Sequence, residues 1–248
     1  NSPQEAYDFT IRAFNLAEEY RVPTLVMMDE CVGHMTEKVV IPEADQIELT
    51  PRKYYTGPKE DFLPYQPDDT LVPPTAKAGD GYRYHITGLT HDEKGYPVMN
   101  ADAQEKCVRR LVDKIRLNAD DICDYEEDEV EGAEVVVVSY GITSRVALKA
   151  IDAGRKKGIK VGSLRLKVVW PFPEKRIREL ARNVKALVVP EINYGQVVFE
   201  VERCAGGNCR VALCSHGGGW VHDPKTILEA IEGSLKMKGE IAGITEYR

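Results

Sequence analysis

The sequence lacks the features that define several large classes of protein. No stretch approaches the roughly 20 apolar residues that a membrane-spanning helix needs, and no signal-peptide pattern opens the chain. Acidic residues (40) outnumber lysine and arginine (33), which gives a net charge of −7 and no basic cluster to attract nucleic acid or an anionic membrane. We therefore expect a cytoplasmic protein that binds neither nucleic acid nor a membrane.

Motifs that would assign a known chemistry are also missing. There is no GxGxxG and no GxxxxGK[ST] motif, so a dinucleotide or P-loop nucleotide site has little support. No Ser/His/Asp arrangement, zincin motif or CxxC pair occurs. Three of the six cysteines, Cys204, Cys209 and Cys214, follow one another at intervals of five residues, which is wider than the usual spacing of metal ligands. We favour reduced thiols over a metal or cluster site.

The clearest positive pattern runs from residue 134 to residue 166. Four consecutive valines predict a buried strand over 134–139, since a continuous β-branched run is typical of a parallel strand covered on both faces. A helix is predicted over 142–156, closed by Gly158, and a second strand over 160–166. Two strands joined by one helix in so short a segment predict a right-handed βαβ unit.

The same alternation continues to the end of the chain. We predict further helices that begin at Pro173, at Tyr194 and at the Asp223-Pro224 pair, and further strands over 186–189 and 210–214. Strands and helices that alternate at this rhythm predict an α/β fold with a doubly wound parallel sheet over 132–238, followed by a tail over 239–248.

The first part of the chain has a different character. A capping box at residues 2–5 begins a helix that presents apolar residues on one face through Tyr20, and residues 24–28 are predicted to form a buried strand. One helix and one strand cannot enclose a core. Because the first residue is Asn1 rather than methionine, we expect residues 1–42 to be the end of a domain in a processed, recombinant or partial chain.

Residues 43–103 are predicted to form an extended arm. Eight prolines from Pro42 to Pro97 exclude a central sheet, and six tyrosines argue against disorder because they can pack on a neighbouring surface. We expect the arm to wrap a partner domain or subunit. Residues 104–131 follow as a helix, whose basic residues we interpret as a solvated face, and an acidic run over 120–131, interpreted as a linker or an exposed helix.

Ligands of open parallel sheets gather where the strands end, so the loops at 139–144, 167–172, 190–196 and 215–222 are the candidate positions. The helix start at Thr143 and Ser144 is either an anion site or a plain cap, and we favour the cap. His216 and His222 flank three glycines; they suit a metal or acid–base work, but we favour a tight turn against another subunit. Asp29-Glu30, after the predicted strand, is weak support for catalysis. We assign no catalytic, cofactor-binding or metal-ligating residue, and the possible subunit-interface or pocket-wall residues are Gly141, Thr143, Ser144, Asn193, Gln196, His216 and His222.

Several motifs resemble those of one enzyme family. They include His91-Asp92-Glu93 within 88–95, Trp-Pro-Phe-Pro at 170–173 and Glu-Ile-Asn-Tyr-Gly-Gln at 191–196. On these stretches the chain resembles the α subunit of 2-oxoacid:ferredoxin oxidoreductases, most like the 2-oxoglutarate enzyme. Further matching stretches lie at 2–7, 13–18, 20–23, 29–30, 33–35, 72–74, 81–85, 139–141 and 164–166.

The resemblance implies a function and a division of labour. Residues 1–42 would be the C-terminal part of a pyrimidine-type domain of the thiamine-diphosphate fold, and 132–238 a transketolase C-terminal-like domain. A β subunit would bind thiamine diphosphate, Mg²⁺ and an iron–sulfur cluster, and the paired subunits would convert a 2-oxo acid and coenzyme A to the acyl-CoA and pass electrons to ferredoxin. The family's substrate-contacting motifs would lie upstream of Asn1, so this chain alone is expected to be inactive. The alternatives are a branched-chain 2-oxo acid or pyruvate as the substrate, and a non-catalytic assembly or regulatory module.

Overall fold

The computed structural model describes residues 1–236 and 243–247. These fall into two compact units. The sheet unit comprises residues 1–5, 28–38 and the described residues from 120 onward, and the arm unit comprises residues 6–27 and 39–119. Among the described residues, no helix is both long enough and apolar enough to cross a membrane.

The sheet unit is built on six strands in the order β1-β3-β2-β4-β5-β6. Strands β2 to β6 are parallel to one another, and β1 pairs with β3 in the antiparallel sense at one edge. The strands are β1 (Tyr125–Asp128), β2 (Val135–Tyr140), β3 (Val161–Leu166), β4 (Ala186–Glu191), β5 (Arg210–Ser215) and β6 (Ile244–Tyr247).

Helices cover both faces of this sheet, as predicted for a doubly wound fold. The side chains of Val136 and Val138 join the core on one face, whereas those of Val135 and Val137 join the core on the other. The alternation follows from the period of two along a strand, and it explains why the valine run is buried without interruption. The helices of the first face are α6 (Glu174–Asn183) and α7 (Val197–Ala205), and those of the second are α5 (Gly141–Lys156) and α8 (Pro224–Lys236). The short helix α2 (Glu30–His34) also belongs to the sheet unit.

The acidic run over 120–131 is neither a linker nor an exposed helix throughout. It begins in the single turn α4 (Ala119–Ile122) and then forms β1. Basic side chains compensate the strand's carboxylates: Arg165 on β3 lies 2.7 Å from Glu126, and Arg176 on α6 lies 2.6 Å from Glu127. An edge strand tolerates such charges because one side of it stays in water.

The predicted tail also contributes a strand. Residues Ile244–Tyr247 form β6, which pairs with β5. Two groups of residues lie outside the described part of the chain: residues 239–242 and 248 of the predicted tail, and residues 237 and 238 of the predicted 132–238 domain.

The arm unit contains α1 (Pro3–Tyr20) from its fourth residue onward and α3 (Ala101–Arg116). Between residues 43 and 99 the structure has two single turns of 3₁₀ helix, Ala44–Gln46 and Lys59–Asp61, and no named strand. Three tyrosine side chains pack on the buried Phe62, with the ring centres of Tyr55, Tyr82 and Tyr84 5.1–5.2 Å from its own. The rings of Tyr55 and Tyr82 also contact each other, with centres 6.2 Å apart. The proline-rich segment is therefore ordered by its own aromatic residues.

Two expectations for these residues are wrong. The predicted buried strand over 24–28 is irregular, and the side chains of Leu25 and Met27 are 76% and 79% exposed, because no strand among the described residues pairs with it. In α3, the side chain of Lys114 is buried whereas those of Val108 and Leu111 are exposed. The basic residues of this helix are therefore not all on a solvated face.

Candidate functional site at the carboxyl edge of the sheet

Strands β2 and β4 lie side by side in the sheet, and the chain leaves them in opposite directions. After β2 it enters α5 on one face, and after β4 it enters α7 on the other. Such a reversal opens a crevice at the carboxyl ends of the two strands, which is where open α/β sheets bind ligands. All four predicted loops, after β3, β2, β4 and β5, are neighbours along this edge.

Glu191, the last residue of β4, is the centre of this edge. Its side chain is 1% exposed, and its carboxylate accepts the backbone N–H groups of Gln196 (3.2 Å), Val197 (3.1 Å) and Val198 (2.8 Å). These are the first N–H groups of α7, which have no partner within the helix. A negative charge at a helix N-terminus is stabilised by the helix dipole, so Glu191 fixes the start of α7 against the end of β4.

The same carboxylate joins β4 to β2. The hydroxyl of Tyr140 donates to Glu191 Oε2 at 2.8 Å, and the side-chain amide of Asn193 donates both to Glu191 Oε2 at 3.1 Å and to the Tyr140 oxygen at 3.2 Å. Burial and the charge of Glu191 raise the pKa of Tyr140 above its usual range, so the phenol keeps its proton and remains a donor. Five donors therefore converge on one buried carboxylate.

The N-terminus of α5 is capped by a residue far away in the sequence. Asp29 Oδ2 accepts the backbone N–H of Ile142 at 2.6 Å. Gly141 permits this contact, because it has φ +55° and a Cβ at this position would lie 2.3 Å from Asp29 Oδ2. The expectation that Thr143 and Ser144 cap this helix is wrong. Both lie inside its first turn, where they are buried, and Ser144 Oγ donates to the carbonyl of Gly141.

His216 and His222 come together in the loop after β5. Their ring centres are 4.2 Å apart with a 62° angle between the planes, and between them Gly218 and Gly219 take φ values of +98° and +84°. His222 Nε2 lies 3.0 Å from the carbonyl of Cys214, and His216 Nδ1 lies 3.2 Å from that of Gly217. The other nitrogen of each ring is buried without a hydrogen-bond partner. Burial lowers the pKa of His222, the carbonyl of Cys214 acts in the opposite direction, and His216 adds to the lowering.

Comparison with known proteins assigns the family. The chain is 46% identical over 234 residues to the 2-oxoglutarate synthase subunit KorA of Methanothermobacter marburgensis and 46% identical over 235 residues to that of Methanocaldococcus jannaschii; each match covers 94% of this chain and 62% of the relative. The family model for the thiamine diphosphate-binding domain of pyruvate flavodoxin/ferredoxin oxidoreductase matches residues 1–110, and that for pyruvate:ferredoxin oxidoreductase core domain II matches 133–227. The chain belongs to the 2-oxoacid:ferredoxin oxidoreductase family.

A solved structure from this family has the same fold. The 2-oxoglutarate:ferredoxin oxidoreductase of Magnetococcus marinus, determined with 2-oxoglutarate, coenzyme A and succinyl-CoA bound, superposes with a TM-score of 0.79 at 25% identity over 90% of this chain and 39% of that one. The predicted α/β fold and the resemblance are confirmed. The chain spans about 62% of the length of the curated 2-oxoglutarate synthase subunits given above.

Membership of the 2-oxoacid:ferredoxin oxidoreductase family implies thiamine diphosphate and iron–sulfur clusters, and the described cysteines of this chain do not fit a cluster. A cluster needs several cysteine thiolates together, but burial raises the pKa of Cys209 to about 11 and that of Cys214 to about 12. Within residues 1–236 and 243–247, no three His, Cys, Asp or Glu side chains gather as a metal site.

Reasoning from the sequence missed the residues that organise this edge. Asn193 and Gln196 lie beside Glu191, the former through its side chain and the latter through its backbone, but Glu191 and Tyr140 were not predicted as site residues. One signal was available: Glu191 is a carboxylate at the end of an apolar strand and shortly before a helix, where the helix dipole favours an anion. No local signal connects Asp29 with Ile142, which are 113 residues apart.

Proposed function

We propose that this chain is part of the α subunit of a 2-oxoglutarate:ferredoxin oxidoreductase. The intact enzyme would oxidatively decarboxylate 2-oxoglutarate, form succinyl-CoA and pass the electrons to ferredoxin. The observation that carries the proposal is the 46% identity to a 2-oxoglutarate synthase subunit, compared with 33% identity to the ketoisovalerate oxidoreductase subunit VorB of the same organism, over 94% and 98% of this chain respectively. The difference favours 2-oxoglutarate over a branched-chain acid.

We propose that thiamine diphosphate, Mg²⁺ and the iron–sulfur cluster are held by a β subunit. The scattered cysteines and the lack of a three-residue metal site within the described residues support this placement. This chain alone would then be inactive. The free cysteines also support a cytoplasmic location. We also propose that the chain is divided into the segments predicted from its sequence, which are residues 1–42, 43–103, 104–131, 132–238 and 239–248.

This chain itself would contribute a rigid surface at the carboxyl edge of its sheet. Glu191 ties β2, β4 and the start of α7 together, and Asp29 fixes the start of α5. The loops at this edge, with Gly141, Thr143, Ser144, Asn193, Gln196, His216 and His222, would face the β subunit. Three large aromatic side chains in the loops after β3, β4 and β5 support this: Trp170 is 72% exposed, Tyr194 69% and Trp220 68%, and aromatic residues are enriched in protein interfaces.

Reconstitution tests the assigned activity. The intact α subunit would be assembled with its partner subunits and assayed for coenzyme A-dependent reduction of a viologen dye with 2-oxoglutarate, pyruvate or 2-oxoisovalerate. We expect turnover with 2-oxoglutarate at a kcat/KM at least about tenfold above that of the other acids, since selection between related substrates by one pocket is commonly of that order. Turnover with another acid only would overturn the substrate, and a stable complex inactive on all three would favour the assembly module.

We also propose that the arm contacts a partner. Its aromatic residues divide into a packed set around Phe62 and an exposed set in which Tyr54 is 46% and Tyr96 57% exposed. Replacing both exposed residues by alanine tests the proposal without disturbing the packed set. We expect weaker assembly with the β subunit and an unchanged melting temperature of the free α subunit; unchanged assembly would contradict an interface role for the arm.

A further inference from the structure

The histidine pair after β5 contains two nitrogen atoms whose chemistry can be deduced. A backbone carbonyl only accepts hydrogen bonds, so the ring nitrogen beside it must carry the proton. This places the proton on Nε2 in His222, 3.0 Å from the carbonyl of Cys214, and on Nδ1 in His216, 3.2 Å from the carbonyl of Gly217. In the neutral rings the remaining nitrogens, His222 Nδ1 and His216 Nε2, therefore bear lone pairs.

Both lone pairs are buried and have no donor. His222 is 4% exposed, and neither His222 Nδ1 nor His216 Nε2 has a hydrogen-bond partner. A buried polar atom without a hydrogen-bond partner is destabilising, so two of them on rings 4.2 Å apart require an explanation. Lone pairs are satisfied either by a hydrogen-bond donor or by a cation.

We propose that His216 Nε2 and His222 Nδ1 bind a divalent transition-metal ion of the zinc class. Neutral imidazole is the commonest metal ligand in proteins, and metal-binding histidines almost always donate their other N–H to a carbonyl or carboxylate, which fixes the ring and its tautomer. Both rings already make that second contact, each with a backbone carbonyl. Imidazole nitrogens select zinc, copper, nickel or iron, whereas Mg²⁺ prefers oxygen ligands, so this site is separate from the Mg²⁺ of the proposed function.

The loop around the rings brings them together. Gly218 and Gly219 adopt positive φ values of +98° and +84°, which brings the rings of residues 216 and 222 back into contact. Trp220 stacks on His216 with ring centres 6.0 Å apart and planes at 15°, which shields one face of that ring. Among the described residues, no third His, Cys, Asp or Glu joins the pair. The ion therefore keeps positions open for water or for an atom of another subunit.

Zn²⁺ binding to the assembled enzyme tests the site. Wild type, His216→Gln and His222→Gln would each be titrated with Zn²⁺ against a chromophoric chelator, with His91→Gln in the arm as the matched control. We expect wild type and the control to bind one more Zn²⁺ per α subunit than either loop variant, or to bind it at least about tenfold more tightly, since even second-shell losses have that effect. The difference between variants isolates this site from other metal sites of the assembly.

Co²⁺ provides an independent readout. A Co²⁺ ion bound by the two imidazoles would give a visible ligand-field band that is lost in both loop variants and kept in His91→Gln. His216→Gln is informative even if the buried His222 cannot be replaced without unfolding, because His216 is only partly buried. Equal Zn²⁺ affinity in all four proteins, or no Zn²⁺ bound up to about 1 mM, would overturn the proposal and leave a bridging water as the partner of both lone pairs. None of these measurements depends on substrate turnover.

Discussion

Glu191 shows how one residue holds several elements in place. Its carboxylate accepts hydrogen bonds from β2, from the following loop and from the first turn of α7. Hydrogen bonds to a charged group contribute about 1.5–3 kcal/mol each when their loss leaves a partner buried. The network therefore concentrates a large part of the edge's stability in one side chain.

Replacing Glu191 with glutamine tests this concentration. Glutamine has the same shape, but one carboxylate oxygen, which accepts hydrogen bonds, is replaced by an amide NH₂, which only donates them. That NH₂ would face the N–H and O–H donors that surround the side chain. We expect the free energy of unfolding to fall by about 2–4 kcal/mol, measured by chemical denaturation. Glu200→Gln on α7, the helix whose start Glu191 caps, is the control, since Glu200 is paired with Arg203 and its side chain is 49% exposed. An equal effect of the two changes would contradict the role of Glu191.

Gly141 and Asp29 form a second pair with a testable coupling. Alanine at 141 would face a positive φ and would push the Asp29 carboxylate off the N–H of Ile142. We expect Gly141→Ala to cost about 2 kcal/mol and Asp29→Ala about 1 kcal/mol. In the double variant the Cβ no longer meets the carboxylate, so the total should be less than the sum. If the losses of unfolding free energy in the two single variants add up to the loss in the double variant, the Cβ at position 141 does not clash with the Asp29 carboxylate.

Lys114 predicts a pH dependence in the arm unit. Burial, with the charges of Arg110 and Arg21, lowers the pKa of Lys114 to about 8, below its usual value of about 10.4. Between these two values the unfolded chain binds more protons than the folded one, so stability rises as the pH rises through this window and is lowest below it.

The matching experiment compares Lys114→Met with wild type at several pH values. We expect the variant to be more stable by about 2 kcal/mol near pH 7 and the difference to shrink above pH 8. Lys106→Met on the same helix is the control, because the Lys106 side chain is 74% exposed. A difference that does not change between pH 7 and pH 10 would show that Lys114 titrates normally.

At the scale of elements, β1 depends on charge compensation. Arg165 on β3 is 15% exposed and contacts both Glu126 of β1 and Glu5, at 2.7 Å each. We expect Arg165→Gln to lower the unfolding free energy by about 1–3 kcal/mol, because the half-buried Glu5 would lose the guanidinium that contacts it. Amide hydrogen exchange should accelerate in β1 and not in β2. Arg178→Gln, in an exposed ion pair with Glu174, should have little effect.

The elements differ in how far sequence alone could predict them. The valine run of β2 and the glycine and proline positions around it are local signals, and they predicted the parallel sheet correctly. β1 is a strand instead through its pairing with the distant β3, and its carboxylates are compensated by Arg165 and Arg176. The prediction for residues 24–28 was wrong for the opposite reason. The apolar run there predicts a strand, but no strand among the described residues pairs with it. At the candidate site, the contacts of Glu191 with the start of α7 had a local signal, whereas the contacts of Glu191 with Tyr140 and of Asp29 with Ile142 are tertiary and have none.

At the scale of the whole molecule, the proposed assembly predicts a residue that matters for binding and not for folding. Trp220 is 68% exposed, and its ring stacks only on His216 among the aromatic contacts of the described residues. Large aromatic residues at the centre of an interface contribute about 2 kcal/mol or more, which corresponds to about a thirtyfold change in affinity. We expect Trp220→Ala to weaken the affinity of the intact α subunit for its β partner by about this factor while its melting temperature stays the same. Leu148→Ala on α5 removes an apolar side chain of similar exposure (58%) and should leave the affinity unchanged. If both variants bind like wild type, the carboxyl edge does not face the β subunit, and the exposed aromatic residues there need another explanation.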